Sequence, residues 1–358
     1  VTRAVVESLT KKGKRVTGAV VRDLNSKKKF NVSTSTVIMC AGVWSDHLHK
    51  EFGITPGYEV KMSKGVHITL PGEAIRASEG IIIKTAVSVL FIIPWKGQWM
   101  IGTTDTEYLG DESEPLADRS DVQYIIDQAN RVLQPRINID QVIGVFAGLR
   151  PLVANKKESD TTKLSREHTV DRPVPGFVSL AGGKYTTYRV MAEDAVDMAT
   201  NDITKLIEES TTEKLPIIGA DGYWALEKQV EVIAAEYGLK SETVTHLLDR
   251  YGSEISEIMK LIQTDRKLAA PVIRELPYLK AELVYAVTHE GAMSIADVME
   301  RRTRIWFEAS DYGLASVNSV ADVIAPHLGW KAAQKRASIA EYKDLVKRAK
   351  TSAASLHK

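Results

Sequence analysis

The 358-residue sequence is poor in the features that mark secreted, metal-clustered and membrane-spanning proteins. It has one cysteine, Cys40, so neither an intramolecular disulfide framework nor a cysteine metal cluster can form. No apolar run reaches the roughly 18 residues that a membrane-spanning helix requires, and the first residues do not predict a signal peptide. The formal net charge is only +1, so bulk charge indicates neither nucleic acid nor an anionic membrane as a partner. We therefore expect a protein of a reducing, cytoplasmic compartment that binds anions only at local sites.

The composition is that of a globular chain with more than one core. Hydrophobic residues make up 44% and charged residues 26%, which is typical of folded domains. The length exceeds what one ordinary core accommodates, so two or three packed units are expected. The sequence opens at Val1, without an initiating methionine, in what the pattern predicts to be the middle of a strand. We expect a piece of a longer protein.

The hydrophobic pattern changes three times along the chain. Residues 1–43 predict three strands, the last ending in an apolar run over residues 36–41 that is typical of a strand buried on both faces. Residues 58–145 predict short antiparallel strands interrupted by one amphipathic helix. A strand, a glycine turn and a helix are predicted over residues 176–207. After Pro216, six segments carry helical periodicity, which indicates a helical carboxy-terminal domain.

The first candidate site lies where the apolar strand ends, at Ala41 and Gly42. A buried parallel strand that ends in glycine lets the phosphate or ribose of a ligand approach the backbone. Ser45 or Asp46 can cap a following helix, whose amino terminus favours anions. A plain strand-to-helix turn explains the pattern equally well.

The second candidate lies in an alternating strand that contains Lys64, Gly65 and His67. Alternation puts Gly65 and His67 on one face of the sheet and Val66 and Ile68 on the other. A lone histidine in a sheet is usually a hydrogen-bonded structural residue. The functional alternative is that Lys64 attracts an anionic substrate and that His67 exchanges a proton near neutral pH.

A third candidate is the string Gly102-Thr103-Thr104-Asp105. Small hydroxyl residues before an acid are typical of a strand end with a satisfied turn, and this interpretation is slightly favoured. The alternative is that they form the polar wall of a pocket.

Two arginines stand at the ends of a polar loop. Arg150 follows an apolar strand, between a glycine and Pro151, and Arg166 lies in the string Ser165-Arg166-Glu167-His168. A strand-end arginine usually forms a surface salt bridge. Arginine is also the side chain that matches a phosphate or carboxylate with two parallel hydrogen bonds, so an anion site formed by the two arginines is the competing interpretation.

The last candidate is the turn at Gly182 and Gly183, which is followed by Lys184. The pattern predicts a strand, a double-glycine turn and a helix that Thr186 or Thr187 can cap. Such a turn presents bare backbone amides, a positive helix end and a cation to an anionic or electron-rich group. In a flavoprotein this arrangement suits the edge of the flavin ring that becomes negatively charged on reduction.

Taken together, six ordered strings are similar to those of the FAD-dependent glycerol-3-phosphate dehydrogenase family. They are AGVWSD, SKGVHI, FIIPWKGQWMIGTTDTEY, AGLRPL, SREH and GGKYTTYR, and the later string DVMERRTRIWFE resembles the helical cap domain of that family. The resemblance implies an α/β (α+β) fold. Residues 1–55 and 146–207 would belong to a partial, Rossmann-like FAD-binding domain, residues 56–145 to an antiparallel substrate-binding sheet, and residues 216–358 to an all-helical cap.

The resemblance also implies the roles of individual residues. Predicted catalytic residues are His67, Arg150 and Lys184. Predicted substrate-binding residues are Lys64, Arg150 and Arg166. Predicted FAD contacts are Ala41, Gly42, Gly182, Gly183, Lys184, Thr186 and Thr187, and no metal is expected. The implied reaction transfers a hydride from the secondary carbinol carbon of glycerol 3-phosphate to FAD, while a base, predicted to be His67, takes the hydroxyl proton and dihydroxyacetone phosphate forms.

The sequence departs from this family in one respect. Family members begin with a strand, a GxGxxG turn and a helix that bind the ADP half of FAD, and these 358 residues contain no such motif. We therefore expect this chain alone to hold FAD weakly. The family also implies a quinone or another electron acceptor and peripheral contact with the inner face of the plasma membrane. The sequence leaves the oligomeric state open, and no nucleic acid is expected as a partner.

Two other functions fit parts of the pattern. A flavin oxidase that acts on an amine or amino acid shares the AxGxW string and the late glycine turn, but the paired arginines and the helical domain argue against it. A truncated chain without catalysis, serving as a phosphate-ligand or protein-binding module, is the alternative from another class.

Overall fold

The computed structural model contains two compact units. It describes residues 1–86, 88–95, 97–113, 115–154, 167–201, 203 and 207–356, with side chains to residue 350. One unit comprises Val1–Glu213 and Ser355–Lys358, and the other comprises Lys214–Ala354. Within the described residues, no helix combines the length and the apolar composition that a membrane crossing requires.

The first unit opens with a three-stranded antiparallel sheet. Its strands are β1 (Ala4–Lys12), β2 (Arg15–Asp23) and β3 (Lys29–Ser33), in that order. The predicted third strand is wrong in its extent, because its apolar second half forms a separate strand, β4 (Val37–Met39), in another sheet. The hydroxyl of Thr34 donates to the carbonyl oxygen of Thr36 and turns the backbone between the two.

The apolar run of β4 is also less buried than predicted. Met39 is buried, whereas Ile38 is 40% exposed, so β4 is not covered on both faces. A short 3₁₀ turn, Gly42–Trp44, leads from this strand into helix α1 (Ser45–Glu51).

The largest sheet of this unit has six strands and one covering helix. The elements are β5 (Glu59–Pro71), β6 (Ile81–Lys84), β7 (Val89–Trp95), β8 (Gln98–Gly102), β9 (Thr106–Glu107), α2 (Arg119–Ala129) and β10 (Gly144–Ala154). The strand order is β10-β5-β8-β7-β6, with β9 also paired to β5, and every pair is antiparallel. Val66, Ile68 and Leu70 of β5 are buried on the face that α2 covers. The predicted antiparallel sheet with one helix is confirmed.

A third sheet joins β4 to β11 (His168–Val174) and β12 (Phe177–Gly182), in the order β11-β12-β4. Strand β12 runs parallel to β4 and antiparallel to β11. A turn after β12 leads into helix α3 (Tyr188–Thr200). Both parallel strands therefore end at the same edge of the sheet, and each is followed by a helix.

The second unit is helical, as predicted. Its helices are α4 (Tyr223–Glu227), α5 (Val230–Tyr237), α6 (Ser241–Tyr251), α7 (Ile255–Thr264), α8 (Lys280–Thr288), a π-helical turn (Asp297–Arg302), α9 (Ile305–Glu308), α10 (Val317–Ile324) and α11 (Ala332–Leu356). The first predicted helix is two helices, and α9 and α10 were not predicted. Two hydrophobic clusters form the core of this unit.

A buried carboxylate ties two helices of the second unit, α6 and α8, together. Glu282 is fully buried, and its Oε1 lies 3.1 Å from Nε2 of His246 and accepts a hydrogen bond from the hydroxyl of Tyr251 at 3.1 Å. Its Oε2 accepts from the backbone N–H of Leu279 at 2.6 Å. This charge is therefore paired with hydrogen-bonding groups, as a buried carboxylate requires.

Candidate functional site

One face of the large sheet carries the polar side chains of β5 and β10. In the register of these strands, His67 lies opposite Phe146 and Ser63 lies opposite Arg150. Directly opposed residues of an antiparallel pair project to the same side, and so do residues two apart in one strand. Ser63, Gly65, His67, Phe146 and Arg150 therefore share the face that α2 leaves uncovered.

The guanidinium of Arg150 lies over Gly65. A Cβ at Gly65 would stand 2.5 Å from Nη2 of Arg150 and 2.8 Å from its Cζ, so only glycine leaves room for the group. Nη2 donates to Oγ1 of Thr103 at 2.9 Å, and Nη1 donates to the carbonyl oxygen of Thr104 at 3.2 Å. Oδ1 of Asp105 lies 3.9 Å from Nη1. Arg150 is thus held in a defined position while its side chain stays 27% exposed.

The imidazole of His67 stacks on Phe146, with ring centroids 5.0 Å apart and an interplanar angle of 5°. It occupies the space that a Cβ at Gly102 would fill. Burial and then the nearby positive charge of Arg150 lower the pKa of His67 to about 4. The ring is therefore neutral at pH 7, with one nitrogen able to accept a proton.

Lys64 is not brought together with these residues. Neighbouring residues of a strand point to opposite faces, and Lys64 lies on the face covered by α2. Its Nζ is 2.6 Å from Oδ2 of Asp121 and 3.0 Å from Oδ2 of Asp118, and the residue is 7% exposed. The structure thus gives the predicted substrate-binding lysine a different environment, because two carboxylates at the start of α2 hold its amine.

The double-glycine turn after β12 has the backbone that the sequence predicts. Gly182 and Gly183 have φ angles of 74° and 82°, in the left-handed region that favours glycine. A Cβ at Gly183 would stand 2.5 Å from Sδ of Met191. Thr187 closes the turn, since its Oγ1 donates to the carbonyl oxygen of Lys184 at 3.0 Å. The side chain of Lys184 is exposed.

Ala41 and Gly42 stand at the carboxyl end of β4, beside the carboxyl end of β12. Gly42 has a φ of 57°, and among the described residues, its two chain neighbours aside, no atom lies within 4 Å of the place where its Cβ would be. Ligands of open α/β sheets bind at this edge, where backbone amides and helix starts face outward. Strand β10 contacts both β12 and the turn after β4, so the two sites belong to one packed unit.

The sequence analysis missed three contacts near the candidate site or predicted them only in part. The sequence favoured a simple turn for Thr103 and Asp105, whereas the structure places both around Arg150. Nε2 of His168 pairs with Oδ2 of Asp194 at 2.6 Å, linking β11 to α3, and no local signal marks Asp194. Arg166, the second predicted arginine, lies outside the described residues.

The chain belongs to the FAD-dependent oxidoreductase family, whose model matches residues 1–192. Residues 210–335 match the model described as the C-terminal domain of alpha-glycerophosphate oxidase.

Individual relatives agree with both matches. Glycerol-3-phosphate dehydrogenase 2 of Mycobacterium tuberculosis is 42% identical over 337 residues, which are 94% of this chain and 57% of that protein. The human mitochondrial glycerol-3-phosphate dehydrogenase is 30% identical over 88% of this chain and 44% of its own length. The structure of glycerol-3-phosphate dehydrogenase from Bacillus halodurans, complexed with FAD, superposes with a TM-score of 0.82 at 26% identity, covering 97% of this chain and 69% of that one. The chain spans about half the length of the curated relatives it matches.

Proposed function

We propose that this chain carries the substrate-oxidising part of an enzyme that converts sn-glycerol 3-phosphate to dihydroxyacetone phosphate by hydride transfer to FAD. The observation that carries the proposal is the pair on one sheet face, a fixed guanidinium at Arg150 beside the neutral imidazole of His67. A phosphate ester of a secondary alcohol needs both a cation for its phosphate and a base for its hydroxyl group. The names of the Mycobacterium tuberculosis and Bacillus halodurans relatives support the same substrate.

The residues at the carboxyl edge of β4 and β12 fit a flavin. The left-handed glycines at 182 and 183 form a turn without side chains, and the exposed Lys184 adds a positive charge. Among the described residues, open space lies beside Gly42. FAD, when bound, supplies the hydride acceptor of the reaction. The residues that would hold it are Ala41, Gly42, Gly182, Gly183, Lys184, Thr186 and Thr187.

We assign Arg150 the role of binding the phosphate at the anionic end of the substrate. Its planar guanidinium can offer two parallel N–H groups to a phosphate, which a lysine ammonium cannot do. Arg166 is proposed as a second phosphate ligand. Holding the phosphate fixes the distance between the carbinol hydroxyl and His67, and such positioning is a large part of what an active site contributes.

We assign His67 the role of the base that takes the proton of the substrate's hydroxyl group. Its pKa of about 4 leaves the free imidazole neutral but only weakly basic at pH 7. A bound phosphate offsets the charge of Arg150, and because that charge contributes to the lowered pKa, substrate binding raises the pKa of His67. The base is therefore strengthened when the substrate is in place.

The test is the rate of flavin reduction by glycerol 3-phosphate in the FAD-loaded protein, measured by stopped flow without oxygen. Replacing His67 with Asn should slow this step by roughly 10²–10⁴-fold, the usual contribution of a general base. Arg150→Lys keeps the positive charge but loses the two parallel N–H groups of the guanidinium. This substitution should therefore weaken substrate binding more than it slows flavin reduction. An unchanged rate in His67→Asn would overturn the base assignment.

For the electron acceptor we propose a quinone, which would bring the protein into peripheral contact with the inner face of the plasma membrane. Transfer of electrons to a quinone embedded in vesicles, compared with transfer to a water-soluble dye, tests this step. Reduction of the dye but not of the quinone would argue for another acceptor.

A further inference from the structure

The guanidinium of Arg150 is held along one edge by the backbone turn after β8. Oγ1 of Thr103 donates to the carbonyl oxygen of Thr104 at 3.1 Å, which directs a lone pair of the hydroxyl toward Nη2 of Arg150 at 2.9 Å. The same carbonyl oxygen accepts from Nη1 at 3.2 Å. Because two acceptors bind two different nitrogens of the guanidinium, they fix the orientation of its plane as well as its position.

The carboxylate of Asp105 also lies close to the guanidinium of Arg150. Asp105 is buried, with 4% of its side chain exposed, and its Oδ1 lies 3.9 Å from Nη1 of Arg150. The same oxygen accepts a hydrogen bond from Oγ of Ser63, the residue directly opposite Arg150 on β5. A buried carboxylate held in this way keeps the positive end of Arg150 close to the turn.

We propose that Thr103 is a positioning residue for Arg150, with Asp105 in support, and that it sets the orientation in which the guanidinium meets an anionic substrate. Among the described residues, the hydroxyl of Thr103 forms hydrogen bonds with Nη2 of Arg150 and with the carbonyl oxygen of Thr104, so we expect it to act on the substrate through Arg150. This inference rests on the proposed function of Arg150 as the substrate's phosphate ligand.

The test compares Thr103→Val, Thr103→Ser and Thr69→Val in the FAD-loaded protein. Thr69 is 1% exposed and lies two residues from His67, but its hydroxyl has no hydrogen-bond partner in the part of the chain that the structure describes, so it controls for the loss of a buried hydroxyl in this sheet. Thr103→Val should raise KM for glycerol 3-phosphate by about tenfold, as expected for a lost hydrogen bond to a charged group, and leave kcat within about threefold. Thr103→Ser, which keeps Oγ, should restore KM to within about threefold of the wild type.

A second measurement needs no substrate. The pKa of His67, followed by NMR titration of its ring proton, should rise in Thr103→Val, because a released guanidinium moves away from the imidazole whose pKa it lowers. Thr69→Val should leave this pKa unchanged.

The following results would overturn the proposed role of Thr103. A wild-type KM and an unchanged His67 pKa in Thr103→Val would overturn it, and so would equal effects in Thr69→Val. If the unmodified protein does not oxidise glycerol 3-phosphate, the proposed function fails, and the NMR titration still decides whether Thr103 positions Arg150.

Discussion

Replacing Gly65 with alanine tests the site without touching a catalytic group. The new Cβ would stand 2.5 Å from Nη2 of Arg150 and 2.7 Å from Oγ1 of Thr103, and both atoms are side-chain ends, so the backbone meets no obstacle. To regain an ordinary contact distance, the guanidinium has to move by about 1 Å. A misplacement of this size costs on the order of 10²-fold in activity. The φ of Gly65 is not in the left-handed region, so we expect the free energy of unfolding to change by less than about 1 kcal/mol.

The assay pairs kcat/KM for glycerol 3-phosphate with denaturant unfolding of the same sample. Gly148→Ala is the matched control for stability and for the pKa of His67, because Gly148 lies directly opposite Gly65 and no described residue beyond its chain neighbours has an atom within 4 Å of its Cβ position. Gly65→Ala should raise the pKa of His67, whereas the control should not. A Gly65→Ala protein with kcat/KM within threefold of the wild type would refute the assignment of Arg150.

Three further predictions concern titratable side chains of the large sheet and of the helical unit. Lys64→Met should cost about 3 kcal/mol of stability, because it leaves the buried carboxylate of Asp121 unpaired, and should leave KM for glycerol 3-phosphate unchanged. His67→Asn should flatten the pH dependence of unfolding between pH 6.5 and 4, because the unfolded histidine binds a proton in this range and the folded one does not, so the native protein loses stability as pH falls. Glu282→Gln should destabilise the helical unit, because the buried partner His246 loses its charged acceptor, and thermal unfolding of that unit measures this.

Each of these predictions has a contradicting result. A large rise in KM with unchanged stability in Lys64→Met would support the substrate role that the sequence predicted for this lysine. A pH profile of unfolding that His67→Asn leaves unaltered would mean that the imidazole titrates normally in the folded state. An unfolding temperature unaffected by Glu282→Gln would show that the buried carboxylate contributes no net stability.

The hydrophobic pattern predicted those parts of the fold that depend on local sequence. Helix α6 runs over the predicted residues, Ser241 to Tyr251, because an amphipathic stretch with a glycine directly after it defines its own ends. The break between β3 and β4 was not predictable in this way, because both halves have similar strand propensity and only the pairing with different sheets separates them.

The same distinction holds for the site. Alternation in β5 correctly grouped Gly65 with His67, and applied to Lys64 it already predicts the opposite face. The contact of Arg150 with Thr103 joins residues 47 positions apart, and it depends on the register of β10 against β5 and on the turn after β8. The local sequence pattern does not determine how β10 pairs with β5, so the role of Thr103 could be inferred only from the structure.

The central claim is tested most directly by mixing the FAD-loaded protein with sn-glycerol 3-phosphate in the absence of oxygen and following the visible absorbance of the flavin. Glycerol, which lacks the phosphate, and glycine, a substrate of amino-acid oxidases, serve as controls. Glycerol 3-phosphate should bleach the flavin and yield dihydroxyacetone phosphate, whereas neither control should do so at the same concentration. A flavin that stays oxidised with glycerol 3-phosphate, or is bleached equally by glycerol, would contradict this claim.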